Sequence, residues 1–328
     1  MKYWLRILPA VLAAFLATAP IGPAHSADSY PSKPITLVAV FGPGSASDTI
    51  CRVIAQPLSI ALNENVIVEN RPGANGALAA QYVARSAPDG YTLLMATNSP
   101  LSAVPFMMKS PPYDAVKDFT PITRMGSFTL MLVVHPSIPA TNMKELIEYA
   151  KDHPGKLSFA SANTSGIVAG ETLKHWAEID MLHVPYKSAP PALQDLIAGR
   201  VSMMFTDLTT GLPHVQSGKL RALAVTRLQR SSLFPELPTM DEAGVTGLDA
   251  SFWHGLWAPK GTPKEIIARL NAAMVETLAD ETVKKRMADI GQEGWPVDRQ
   301  NPAALAAQQK TEIERWWPVI RAAGIKSE

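Results

Sequence analysis

Cysteine is nearly absent: Cys51 is the only one in 328 residues. One thiol makes no internal disulfide, so a chain of this length relies on its buried core. Cys51 follows Ile50 on an apolar helical face and reads as a small core residue rather than a nucleophile. Metal-ligand spacing is missing too. The histidines after residue 27 are His135, His153, His175, His183, His214 and His254. They form no HxH or HExxH cluster, so neither a metal nor a cofactor is expected. His183, just before Val-Pro-Tyr, reads as a packed strand histidine. No GxSxG elbow occurs and no serine has a local base partner, although a triad assembled only in space is left open. There is no P-loop lysine and no GxGxxG fingerprint. After the first 27 residues, no apolar run is long enough to cross a membrane.

An excess of positive charge is also lacking. Residues 1–27 read as a secretory signal peptide: Lys2 and Arg6 lead, Ile7 to Ala19 is apolar, and small residues allow cleavage after Ser26 or Ala27. No lipobox cysteine follows, so a soluble exported product is expected in the periplasm. Without Lys2 and Arg6, the 30 basic residues fall to 28 against 29 acidic ones. That balance argues against nucleic acid as a partner.

What is present is organised around Ile35 to Leu58. Six largely apolar residues, Ile35 to Val40, read as a buried strand. From Ile50 the spacing turns helical, with Ile50, Val53, Ile54, Leu58 and Ala61 in register. Between them lies the small, hydroxyl-rich loop Phe41 to Asp48. A strand, a tight loop and a helix N-terminus together suit an anion, because first-turn amides are unpaired and the dipole favours negative charge. The plainer alternative is a simple cap, with Ser47 at the N-cap and Asp48 beside the dipole.

Val66 to Asn70 and Tyr91 to Ala96 supply two more strands around a helix carrying Leu78, Tyr82 and Val83. The order is βαβαβ, the pattern of a doubly wound sheet whose ligands bind beyond the carboxyl ends of strands. The turn Thr97–Ser99 can share that crevice. Ile122 to Val134 is extended and leads into a second unit, where Asn142 and Glu145 form a capping box. There the opening pattern recurs: strand Leu157 to Ala160, loop Ser161 to Gly166, then a helix with Leu173, Trp176 and Ala177 inward. Val201 to Phe205 and Leu220 to Thr226 are further strands, and Ser251 to Ala258 alternates. Thr262-Pro263-Lys264-Glu265 reads as another capping box, and the last helix turns Leu305, Ile313, Trp316, Trp317 and Ile320 inward with Pro318 kinking it. The chain crosses twice between units, near 124–133 and 223–230, which makes a hinge.

Several stretches, YPSKPITLVAVF, VENRPGANG, APDGYTLLMAT, HVPYK, LRALAVT, LPTMDEAG and GLWAPKGTPKEIIARLN, together resemble the Bug family. These are TctC-like periplasmic receptors of tripartite tricarboxylate transporters, and the likeness runs from about Tyr30 to Ile325. The resemblance implies an α/β, two-lobed periplasmic binding protein of type II-like build, two doubly wound domains on a two-crossing hinge. Lobe 1 would be residues 28–128 plus 231–328, and lobe 2 residues 129–230. It implies a non-catalytic, monomeric receptor that closes on a small organic acid and hands it to membrane permease subunits. An exported α/β hydrolase or transferase, or a carboxylate receptor reporting to a membrane sensor, are the alternatives.

Carried over, the first loop offers Phe41, Gly44, Ser45, Ala46 and Ser47, and the second Ser161, Asn163, Thr164, Ser165 and Gly166. Asn98, Tyr186, Thr206 and Asp207 are the next candidates. Two departures stand out. Members often read Phe-Pro-Pro-Gly-Gly where this chain has Phe41-Gly42-Pro43-Gly44-Ser45. Many carry Asp where it has Thr206, with Asp207 one position later.

Overall fold

The computed structural model describes residues 30–248, 251–322 and 325, so the leader assigned to residues 1–27 lies outside it. Its first half runs β1 (Ile35–Ala39), α1 (Ala46–Leu62), β2 (Val66–Asn70), α2 (Ala77–Ala84) and β3 (Thr92–Thr97). β1 pairs in parallel with both β2 and β3. One turn, α3 (Val104–Met107), precedes β4 (Phe119–Val134). The second half repeats the pattern after α4 (Met143–Asp152): β5 (Leu157–Ser161), α5 (Thr164–Ala177), β6 (Met181–Pro185), α6 (Ala189–Ile197) and β7 (Met203–Asp207). Then come α7 (Leu208–Gln216), β8 (Arg221–Val225), β9 (Ser251–Pro259), α8 (Lys264–Ala279), α9 (Glu281–Asp289), the two-residue β10 (Glu293–Gly294) and α10 (Pro302–Ala322).

One strand serves both halves. Residues 119–129 of β4 pair antiparallel with β9, which in turn borders β3. Residues 130–134 pair antiparallel with β7 on one side and, from 131, with β8. The resulting order is β2-β1-β3-β9-β4-β7-β5-β6. Each half is buried on both sheet faces, which explains why its strands are near-continuous apolar runs. Ile35, Leu37 and Ala39 pack with Ile50, Ile54 and Leu58 of α1 and with α8, while Val38 and Val40 pack towards α2 and Trp257. In the second half, Leu130, Leu132, Phe159 and Phe205 face α4 and α5. Met131, Val133, Ala160 and Met204 face α6 and α7.

Several local expectations change. Helices α1 and α5 begin at Ala46 and Thr164, earlier than Ile50 and Ile167, because their first turns are small residues buried at the junction rather than on the apolar stripe. Ser45, not Ser47, caps α1: its Oγ accepts from the Asp48 amide at 3.3 Å. Gly44, at φ +77°, makes the reversal that brings it there. Trp176 is 42% exposed rather than inward, since Ala169, Leu173 and Ala177 form the buried stripe and Trp176 lies on its flank. Trp317 likewise lies beside the Trp316–Ile320 stripe, 38% exposed, with its ring 4.7 Å from Phe106. The box at 262–265 does not form. Thr262 donates its hydroxyl to the Pro259 carbonyl at 2.8 Å, leaving Pro263 at the N-cap with no side-chain bond. Helix α10 continues through Pro318 to Ala322.

Candidate ligand site

Four strand ends meet at one point: the carboxyl ends of β1, β3, β5 and β7, each followed by a loop or a helix start. At the first, Ser45 caps α1, and Gly44 donates its amide to Asp48 Oδ2 at 2.9 Å. Burial pushes the Asp48 carboxyl up, but bonds from Arg52 and the Gly44 amide outweigh it and hold the group below the usual range. The amides of Ala46 and Ser47 lie in the first turn, where no intrahelical acceptor exists. The Ser47 Oγ is buried with no partner, so it holds an unused donor at the mouth of the helix.

At the β5 end, Asn163 caps α5 by accepting from the Gly166 amide at 2.9 Å. Thr164 donates its hydroxyl to Ser99 Oγ at 2.8 Å, and its amide points to the same oxygen at 3.3 Å. Asn98 Nδ2 donates to Ser165 Oγ at 3.0 Å, leaving Asn98 Oδ1 buried without a partner. These contacts bridge the first half to the second. At the β7 end, Asp207 caps α7, accepting from the Thr210 amide at 2.8 Å and the Thr210 hydroxyl at 3.0 Å. Burial nevertheless raises the Asp207 carboxyl above the ordinary carboxylate value.

The space left between these ends is small, about 20 Å³, room for one or two waters. Of the residues singled out from the sequence, Phe41, Ser45, Ala46, Ser47, Asn163 and Asp207 line it. Thr164, Ser165 and Asn98 stand at its edge in the bridging bonds. Others are turned to neighbours. Ser161 Oγ bonds His183 Nε2 at 2.7 Å, and Thr206 pairs with Thr210 at 3.0 Å. Tyr186 donates to Asp195 at 2.7 Å, which together with burial keeps its phenol protonated up to about 12. His183 stacks on Phe159 at 4.7 Å, as a packed strand histidine does.

The cavity also takes Thr97 and Ser99 of the turn expected there and Ala162 of the second loop, together with Phe128, Ala189, Phe252 and His254, which the loops alone do not predict. His254 sits fully buried on β9, stacked on Phe128 at 4.7 Å, with both ring nitrogens unpartnered. Burial pulls its pKa down to about 3, more than the Gln292 carboxamide beside it offsets, so the ring is neutral near pH 7. A neutral imidazole offers one donor and one acceptor. The only hint in the sequence is a polar residue inside a strand apolar on both faces. Among the described residues, no lysine or arginine lines the cavity.

Residues 50–325 match the model of the tripartite tricarboxylate transporter family receptor, TctC. The chain belongs to this family. Solved relatives agree with the fold. The periplasmic binding protein BugD superposes with a TM-score of 0.87 at 35% identity, over 91% of this chain and all of that one. Rpa4515 of R. palustris, solved with adipate, gives 0.85 at 32% identity over 90% and 99%. MatC of Rhodopseudomonas palustris, solved with malate, gives 0.85 at 31% over 89% and 100%. As a TctC-type chain it is a periplasmic solute-binding receptor, and the family is one of binding proteins rather than enzymes.

Proposed function

We propose that this receptor binds a small organic acid between its two halves, and that its carboxylate is held by neutral donors rather than by a cation. The observation that carries this reading is the lining itself: unpaired first-turn amides, the free Ser47 hydroxyl and neutral His254, with no lysine or arginine among the described residues. Preorganised amides at helix starts satisfy a carboxylate without a salt bridge. The adipate and malate of two relatives point to the same class of ligand. Among the described residues, Asp207 is the one acidic wall residue, and it repels a second negative charge placed against it. A ligand whose far end donates a hydrogen bond, or whose second carboxylate lies away from Asp207, fits best.

A space of about 20 Å³ holds no such acid, so entry requires the Asn98–Ser165 and Ser99–Thr164 bridges to part. The halves that part are residues 28–128 with 231–328, and 129–230. The loaded receptor, exported by the leader in residues 1–27, delivers its acid as a monomer to a membrane permease. Calorimetric titration with mono-, di- and tricarboxylates and their methyl esters tests the site. Some acids are expected to bind with unit stoichiometry while their esters do not; esters binding as tightly would defeat the anion reading.

A further inference from the structure

A second and much larger cavity lies away from the acid cleft, in the first half of the molecule. Its volume is about 590 Å³, and it shares no wall residue with the cleft. Ile50 of α1, Met125 of β4, Leu278 of α8, Val283 and Met287 of α9, and Leu233 of the returning chain form its walls. The first five also belong to the apolar core of that half, so the opening reaches straight into packed core. Protein interiors rarely leave such space unfilled, because apolar walls facing a gap lose their dispersion contacts. Cavities of this size with mostly apolar walls and a few polar groups are where small molecules bind.

The polar groups here narrow the ligand. Lys284 at the rim is paired with Glu281 at 2.8 Å, and Glu293 is paired with Arg227. Neither offers a free charge to an ionic ligand. Three wall residues carry unmet hydrogen-bonding atoms: Gln292, whose Nε2 is buried without a partner on the side of His254, and two that stand together at residues 295 and 300. Gln300 is only 7% exposed; its Nε2 donates to the Trp295 carbonyl at 2.6 Å, while its Oε1 is buried without a partner. Trp295 Nε1 is likewise buried and unpaired. At residues 295 and 300 a donor and an acceptor therefore stand together in an otherwise largely apolar, charge-neutral wall.

We propose that this cavity is a second binding site, for an uncharged, largely apolar small molecule with one polar group able to meet Trp295 and Gln300. It shares no wall residue with the acid cleft, although Gln292 of its wall stands beside His254 of the cleft. The test uses N-phenyl-1-naphthylamine, an apolar amine whose fluorescence rises on leaving water, titrated into the whole protein. Saturable binding of one dye per chain is expected. Ala288→Trp fills the rim from an exposed position on α9 and is expected to weaken dye binding tenfold or more, with melting and acid binding unchanged. Ala279→Trp does the same from α8, should the first variant fold poorly. Ser47→Ala, in the acid cleft, is expected to leave the dye untouched. Absent or unsaturable binding overturns the proposal. So does binding that both tryptophan variants leave intact, or binding that Ser47→Ala abolishes.

Discussion

Ser45 and Ser47 are two residues apart, yet their hydroxyls have different work. Ser45 Oγ accepts the Asp48 amide and closes the start of α1, while Ser47 Oγ is buried at the cleft with nothing to bond. Ser45→Ala is therefore expected to cost about 0.5–2 kcal/mol of stability without ligand, the usual loss of a cap. Ser47→Ala should barely move the melt but weaken acid binding by about 1.5–3 kcal/mol, the worth of a bond to a charged group. Paired thermal melts and titrations check this; the reverse pattern would exchange their roles. His254 sets a pH dependence. Its folded pKa of about 3 lies below the roughly 6.5 of an unfolded histidine, so between these values the unfolded chain holds the extra proton. Its contribution is intact above about pH 6.5 and is lost towards pH 3, by up to about 1.4 kcal/mol per unit. Asp207, its carboxyl raised by burial, works in the opposite sense, its contribution shrinking as pH rises past the ordinary carboxylate value. Comparing His254→Phe with the parent isolates the histidine: urea unfolding at pH 6.5 and 4.5 should show a smaller acid loss in the variant. Equal losses would mean that the ring is not the titrating group.

At the level of elements, α5 is fitted to β5 through a missing side chain. A Cβ at Gly170 would stand 2.2 Å from Phe159 Cε2, and that ring is fully buried against His183. Alanine there gains about 1 kcal/mol of helix propensity, yet forcing the ring aside costs about 1–3 kcal/mol. Gly170→Ala is expected to lower the urea midpoint; a higher one would show that Phe159 can move. The strand–loop–helix units were legible in the sequence because their apolar runs and hydroxyl-rich loops change abruptly at Phe41 and Ser161. Their helix starts were not. The first turn of each faces the cleft, so helical periodicity begins only where the apolar stripe does, at Ile50 and Ile167. The far wall was hidden for another reason: Phe252 and His254 reach the site only because β9, late in the chain, inserts between β3 and β4. Nothing local to Ser251–Pro259 announces that insertion.

For the whole molecule, binding an acid in the proposed way means that the two bridges across the cleft open and close with it. A ligand shifts that equilibrium only by touching the closed form better than the open one. An acid that binds is expected to shrink the radius of gyration in solution scattering, and to add about 2.7 kcal/mol of stability at a hundredfold excess over its dissociation constant. Tight binding with an unchanged radius would speak against closure. One further consequence follows from β4, whose 16 residues are bonded to β9 along one part and to β7 and β8 along the other. Because both halves are stitched to the same backbone, neither is expected to melt and leave its partner whole. Losing the second strips residues 130–134 and frays the edge that β9 depends on. Deuterium is then expected to reach the amides at the centre of β4 only when the entire chain opens, and a protease to meet no half-denatured fragment to digest.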